Sequence, residues 1–262
     1  MQVRPWEILV GLLTLVAVGV GLWFVLMRPL PEGSGPHATS TDTGSEEREI
    51  YTESGEYYEI TAEYPTQIPL AHSASATMEA AAVSTMHAFV LSEAERFREN
   101  NVENLTAEDI ALQNLGGERT YLLHIKYTMY ESPETVSYVY SLFADTLGAH
   151  PNGYYRTYTF YKKTGEGLAL DSLFSPSANH LEVLSMLSRE KLGETLGEGN
   201  FDREYLEAGT SPDADNFQNF YLEGSSLILL FPPYQVGPWA LGIQEARISR
   251  EELGNTLREE YR

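Results

Sequence analysis

The apolar positions of this chain change period several times, and the changes divide it into elements. Ile8 to Met27 is apolar almost without interruption and carries no charge. As a helix, twenty such residues span roughly 30 Å, the thickness of a bilayer core. The stretch that follows, PLPEGSGPHATSTDTGSEEREIY, has scarcely any large apolar residue and is expected to be a flexible stalk. Order is expected from Glu56 onward. Tyr58, Ile60 and Ala62 alternate with Glu59, Thr61 and Glu63, predicting a strand closed by Pro65. Ala74 to Asn100 is alanine-rich and places Met78, Ala82, Met86, Phe89 and Phe97 near one helical face. Asn104 to Gly117 reads as a shorter element stopped by Gly116 and Gly117.

Period two returns at Tyr121 to Tyr130, with Tyr121, Leu123, Ile125, Tyr127 and Met129 on one face. A turn at Ser132 and Pro133 leads to a hairpin partner, Val136 to Phe143, and Tyr154 to Lys162 is a further strand. Leu181, Leu184, Leu187 and Leu192 mark an amphipathic helix within Asn179 to Leu196. Residues 198–216 are mostly acidic and polar; strands are expected at Phe217 to Leu222, Leu227 to Phe231 and Ile243 to Ile248. Ser249 and Glu252 have the spacing of a capping box that opens a short last helix. Runs of strands with isolated helices predict an α+β fold with mainly antiparallel sheets.

Between the last two strands the chain reads FPPYQVGPWALG. This loop holds three of the 13 prolines and the one tryptophan outside the N-terminal region. Prolines fix φ and remove donors, so Pro232 and Pro233 should end the incoming strand and stiffen the loop. Pro232, Tyr234 and Trp239 are the candidate ligand-binding residues. The 17 tyrosines as a group, concentrated in the expected strands, are expected mainly to pack the core and neighbouring strands. Exposed tyrosine and tryptophan are also what binding surfaces use.

Charge narrows the partners. The chain carries 17 basic and 38 acidic residues; without residues 1–28, which take Arg4, Arg28 and Glu7, the formal charge is near −22. That excludes nucleic acid as an expected partner and permits a cationic one, although a solubilising surface accounts for it equally. There is no cysteine, hence no disulfide, thiolate metal site or cysteine nucleophile. The six histidines show no metal-ligand spacing, and His124 falls on the polar face of its strand. Asp213 and Asp215 have part of a calcium-loop spacing, but Phe217 stands at the third ligand position. No nucleophile elbow, phosphate loop or dinucleotide fingerprint occurs, so no cofactor, metal or catalytic residue is expected and the chain reads as a non-enzyme. An active site assembled from distant residues is invisible to motif reading.

Two blocks resemble a known family: YYEITAEYP, and LALDSLF followed by FYLEGSSLILLFPPYQVGPWALGIQEARISREEL. Their order is similar to the paired domains of unknown function in RsiV-like exported domains, which also accompany the catalytic domain of PdaC-type peptidoglycan deacetylases. The resemblance covers roughly residues 56–253. It implies a two-part α+β ectodomain, here residues 56–146 and 147–262, behind a transmembrane anchor (1–28) and a stalk (29–55). In RsiV-type anti-sigma factors the ectodomain is a receptor for lysozyme, a basic protein; by resemblance, contacts would fall on Pro232 and Tyr234. Only seven residues precede the apolar run, so a cytoplasmic sigma-binding segment is not expected, and no deacetylase domain is expected after the second block.

The expectation is therefore a single-pass membrane protein with an extracytoplasmic, non-catalytic module. Its ligand would be a cell-wall component such as peptidoglycan, or a wall-active protein such as lysozyme. The alternatives are a cell-envelope hydrolase and a structural spacer; for the N-terminus, the alternative to an anchor is a cleaved signal peptide.

Overall fold

The computed structural model describes residues 47–262 except 118, 198 and 200. The expected transmembrane segment and most of the expected stalk lie outside the described residues. Among the described residues no helix is long and apolar enough to cross a membrane. The fold is α+β, with two sheets and five α-helices among the described residues.

The larger sheet has five strands in sequence order: β1 (Arg48–Ser54), β2 (Tyr58–Pro65), β3 (Tyr121–Glu131), β4 (Thr135–Asp145) and β5 (Asn152–Tyr161). All pairs are antiparallel except β2 with β3, which are parallel. Parallel neighbours need a long crossover. It is supplied by α1 (Ala76–Asn101) and α2 (Ala107–Gln113), each started by a hydroxyl cap, Ser75 and Thr106. The α1 stripe buries Ala82, Met86, Val90, Ala94 and Phe97 against Ile60, Ile125, Tyr138 and Tyr140 of the sheet. Met78 and Phe89, expected on that face, are only half-buried.

Strand β1 lies in the stretch expected to be stalk. As the outermost strand it is held by pairing with β2, and its side chains stay largely exposed, so it leaves little hydrophobic period to read. The division expected at residue 146 falls between β4 and β5, yet these two strands pair along their whole length.

The smaller sheet is antiparallel: β6 (Phe220–Glu223), β7 (Ser226–Phe231) and β8 (Gln244–Ser249). Phe217, expected to open the first of these strands, instead ends a 3-10 turn and is buried. Helix α3 (His180–Leu196) covers one face, with Leu184, Leu187 and Leu192 packing on Leu227, Leu229, Phe231, Ala246 and Ile248. The opposite face carries Tyr221, Ile228 and Leu230, which pack on Tyr130 and Val139 of the larger sheet. Strand β7 is therefore buried on both faces, and that is why LILLF is apolar without alternation. The layers run helix, sheet, sheet, helix.

Hydroxyl groups join the two sheets. Phe220 N donates to Thr157 Oγ1 at 3.0 Å, and Leu222 N donates to Ser137 Oγ at 3.3 Å, with Thr159 Oγ1 3.0 Å from the same serine. Ser137 and Thr159 are buried polar residues whose positions follow from this task of pairing the β6 backbone. Two short helices complete the chain: α4 (Arg203–Gly209), within the acidic and polar stretch for which no element was expected, and α5 (Arg250–Leu253), opened by the expected Ser249/Glu252 capping box.

Candidate functional site

The proline loop leaves β7 at Phe231 and returns to β8 at Gln244, residues that pair with each other. Gln235 N donates to Pro232 O at 3.1 Å, closing a turn with Pro233 second and Tyr234 third. Tyr234 has φ +72°, the left-handed value that the third position of a type II turn requires and that glycine or asparagine normally fills. A tyrosine there costs on the order of 1–2 kcal/mol. Its ring packs too little to compensate, being 54% exposed.

Three contacts pin the loop from below. Val236 is buried in the core under α3. Gln235 Nε2 donates to the carbonyls of Gly209 (2.9 Å) and Asn216 (2.8 Å). Gly209 ends α4, where an added Cβ would stand 1.8 Å from Gln235 O. Only glycine permits this approach of helix and loop.

From above, His150 in the loop between β4 and β5 meets both aromatic residues. Its ring stacks on Trp239, with centroids 4.6 Å apart and an interplanar angle of 24°, and its Nε2 lies 3.3 Å from the Tyr234 hydroxyl. Nδ1 sits 3.0 Å from Pro151 O, a contact only an N–H makes. A neutral ring therefore carries its proton on Nδ1, and Nε2 accepts from Tyr234. On its other side Tyr234 enters an open groove of 580 Å³ with Asp202, Glu204, Tyr205, Asn216 and Gln235.

The structure thus brings Tyr234 and Trp239 together through His150. Pro232, half-buried, supplies the carbonyl that closes the turn and does not line the groove. Sequence reasoning missed His150, Tyr205 and the α4 residues. His150 was one of several scattered histidines, and its partners are 84 residues away in sequence or more. The carboxylates of Asp213 and Asp215 are used locally, Asp213 capping the 3-10 turn and Asp215 accepting from Gln218 Nε2. Among the described residues no group of three or more potential ligands is placed to hold a metal ion.

A second cluster lies where the sheets meet. The rings of Tyr130 and Tyr221 meet with centroids 4.1 Å apart, tilted by 30°. Their hydroxyls are sealed from solvent, and Glu245 Oε1 beside them is buried without a hydrogen-bond partner. Burial pushes the Glu245 carboxyl above its ordinary range, against the pull of Arg247 and with the help of Glu223. Burial also pushes the Tyr130 hydroxyl up to about 12, and that of Tyr221 higher.

Residues 171–251 match the family model described as "Protein of unknown function (DUF3298)". Peptidoglycan-N-acetylmuramic acid deacetylase PdaC of Bacillus subtilis is 26% identical over 167 residues, 63% of this chain and 36% of that protein. Esterase Rv3036c of Mycobacterium tuberculosis is 27% identical over 119 residues, 45% of this chain and 51% of that protein. The match thus spans about a third and about half of these two relatives. Two crystal structures share the fold. A DUF3298 family protein of Bacteroides fragilis has a TM-score of 0.55 at 20% identity, covering 83% of this chain and 95% of its own. One from Pseudomonas aeruginosa has a TM-score of 0.52 at 12% identity, covering 83% and 97%. The smaller sheet, α3 and the loop bearing Tyr234 and Trp239 belong to a DUF3298 domain.

Proposed function

We propose that this protein is a membrane-anchored, extracytoplasmic, non-catalytic module, RsiV-like in type, that binds a cell-wall component or a wall-active protein through the Tyr234–Trp239 surface. One observation carries the reading: Tyr234 is held in a strained left-handed conformation while its ring faces solvent. Strain kept where it gains no packing is a mark of functional sites. Exposed Trp239 and Tyr205 extend the surface, and a rigid aromatic patch suits recognition. The acidic charge fits a basic partner such as lysozyme. Calorimetry against lysozyme and against muropeptides tests this, with Tyr234→Ala and Trp239→Ala as controls. Saturable binding lost in both variants supports it; no binding of either ligand at millimolar concentration refutes it.

The names of the two curated relatives favour a second reading, a cell-envelope hydrolase. His150 with Tyr234 would be its first candidate pair, because a histidine nitrogen accepting from a hydroxyl is the arrangement that activates a nucleophile. Turnover of acetylated glycans or simple esters, abolished by His150→Ala, would establish it. An inert protein on both substrate types removes it.

A further inference from the structure

The groove beside Tyr234 has a chemistry of its own. Its walls come mainly from two elements locked to each other, α4 and the proline turn, with Asn216 of the 3-10 turn beside them; each of the two contributes one exposed tyrosine, Tyr205, 38% exposed, and Tyr234, 54% exposed. The Gln235 bonds and the close approach at Gly209 fix the two backbones that carry these rings relative to each other. The volume, 580 Å³, is that of a small-molecule site. Asp202 and Glu204 add two carboxylates, and the Asn216 and Gln235 amides also line the groove, whereas no lysine or arginine is among the described lining residues. One Asp202 oxygen caps α4, accepting from Glu204 N at 2.9 Å and from Tyr205 N at 3.3 Å. Exposed Arg203 is the nearest cation in sequence and does not line the groove.

Each part selects. Flat exposed aromatic rings bind the C–H faces of sugar rings and attract cations. Carboxylates accept from hydroxyl and ammonium groups, and they repel phosphates and other acids. An anionic wall polymer is therefore disfavoured, and an acetylated sugar would use the rings but not the charge. A sugar with a free amine uses both. Resting on the binding-module reading above, we propose that this groove binds an amino-sugar oligomer whose amines are unacetylated, stacking on Tyr205 and Tyr234 with an ammonium group held by Asp202 and Glu204.

The test uses the full chain in detergent, titrated calorimetrically with three probes: a glucosamine hexamer, an N-acetylglucosamine hexamer and hexalysine. The glucosamine hexamer is expected to bind about tenfold tighter than the acetylated one, and Tyr205→Ala or Tyr234→Gly to weaken it about tenfold or more. Glu204→Gln should narrow the gap between the two sugars, the readout of a charge contact rather than of packing. Thermal midpoints of the variants within a few degrees of the parent exclude loss of fold. Equal or tighter binding of the acetylated hexamer overturns the proposal. So does hexalysine binding as tightly as the glucosamine hexamer, which would leave an electrostatic patch only. If no sugar binds but lysozyme does, this inference falls and the module reading stands; if neither sugars, muropeptides nor lysozyme bind, both fall.

Discussion

Two aromatic regions of this molecule have similar residues and opposite circumstances. At the seam between the sheets, Tyr130 and Tyr221 are buried in ring contact, their hydroxyls are sealed from solvent, and Glu245 Oε1 finds no partner. At the loop, Tyr205, Tyr234 and Trp239 are exposed, and the Tyr234 hydroxyl is bonded to His150. The seam gains packing at the cost of polar satisfaction. The loop keeps its polar contacts and accepts backbone strain while burying little. Removing an aromatic side chain should therefore damage stability in the first region and recognition in the second.

The largest expected effect is at the seam. Tyr221→Ala removes a fully buried ring and should cost about 3–5 kcal/mol in chemical denaturation. A loss below about 1 kcal/mol would break the comparison, since the seam would then be as dispensable as the surface. Gly209→Ala comes next: its new Cβ cannot coexist with Gln235 O, so the loop or α4 must shift, at about 1–3 kcal/mol and with weaker ligand binding. An unchanged thermal midpoint with unchanged binding would show that the groove is not held as described.

Tyr234→Gly sharpens the contrast from the other side. Glycine relieves the left-handed strain but adds freedom to the unfolded chain, and the two effects nearly cancel, leaving stability within about 1 kcal/mol of the parent. Ligand binding measured by calorimetry should still collapse. A stability loss above about 2 kcal/mol would reclassify Tyr234 as a packing residue.

The smallest effect is a pH dependence. Glu245 has a folded-state pKa raised by burial, so its charged form is penalised: the penalty is present above the folded pKa and gone below the unfolded value of about 4.3. Glu245→Gln should raise the denaturation midpoint near pH 8, and the gain should vanish as pH falls towards about 4. Glu252 works in the opposite sense and a lower window. Lys191 and the Ser249 backbone and hydroxyl hold it down at about 2, so its contribution is lost as pH falls below about 4.3. A gain from Glu245→Gln that is constant with pH would place that carboxyl outside the seam's apolar environment.

Much of the fold was legible because burial on one face imposes a period. Ile60 and Ala62, Leu123 and Ile125, and the Leu184–Leu187–Leu192 stripe all bury the residues that their spacing predicts. Strand β1 was not legible, because an edge strand needs backbone pairing more than apolar side chains. Tyr130 alternates onto the same face of β3 as the polar His124, yet β3 is covered on both sides there, and one-dimensional alternation has no knowledge of a second sheet. The loop was legible as a stiff, aromatic interruption. Its partners were not: His150 reaches it from a hairpin tip and Tyr205 from a seven-residue helix, joined only by folding.

The hydroxyls of Ser137 and Thr157 have a consequence for how such a protein can be divided and inherited. They take up amides of a strand some 60 to 85 residues further along the chain. A fragment limited to the matched stretch 171–251 would lose those acceptors and uncover Ile228 and Leu230 together. The stretch that sequence comparison delimits is thus shorter than the stretch that folds. Transferred between proteins, the smaller sheet would keep its shape only if the larger one travelled with it.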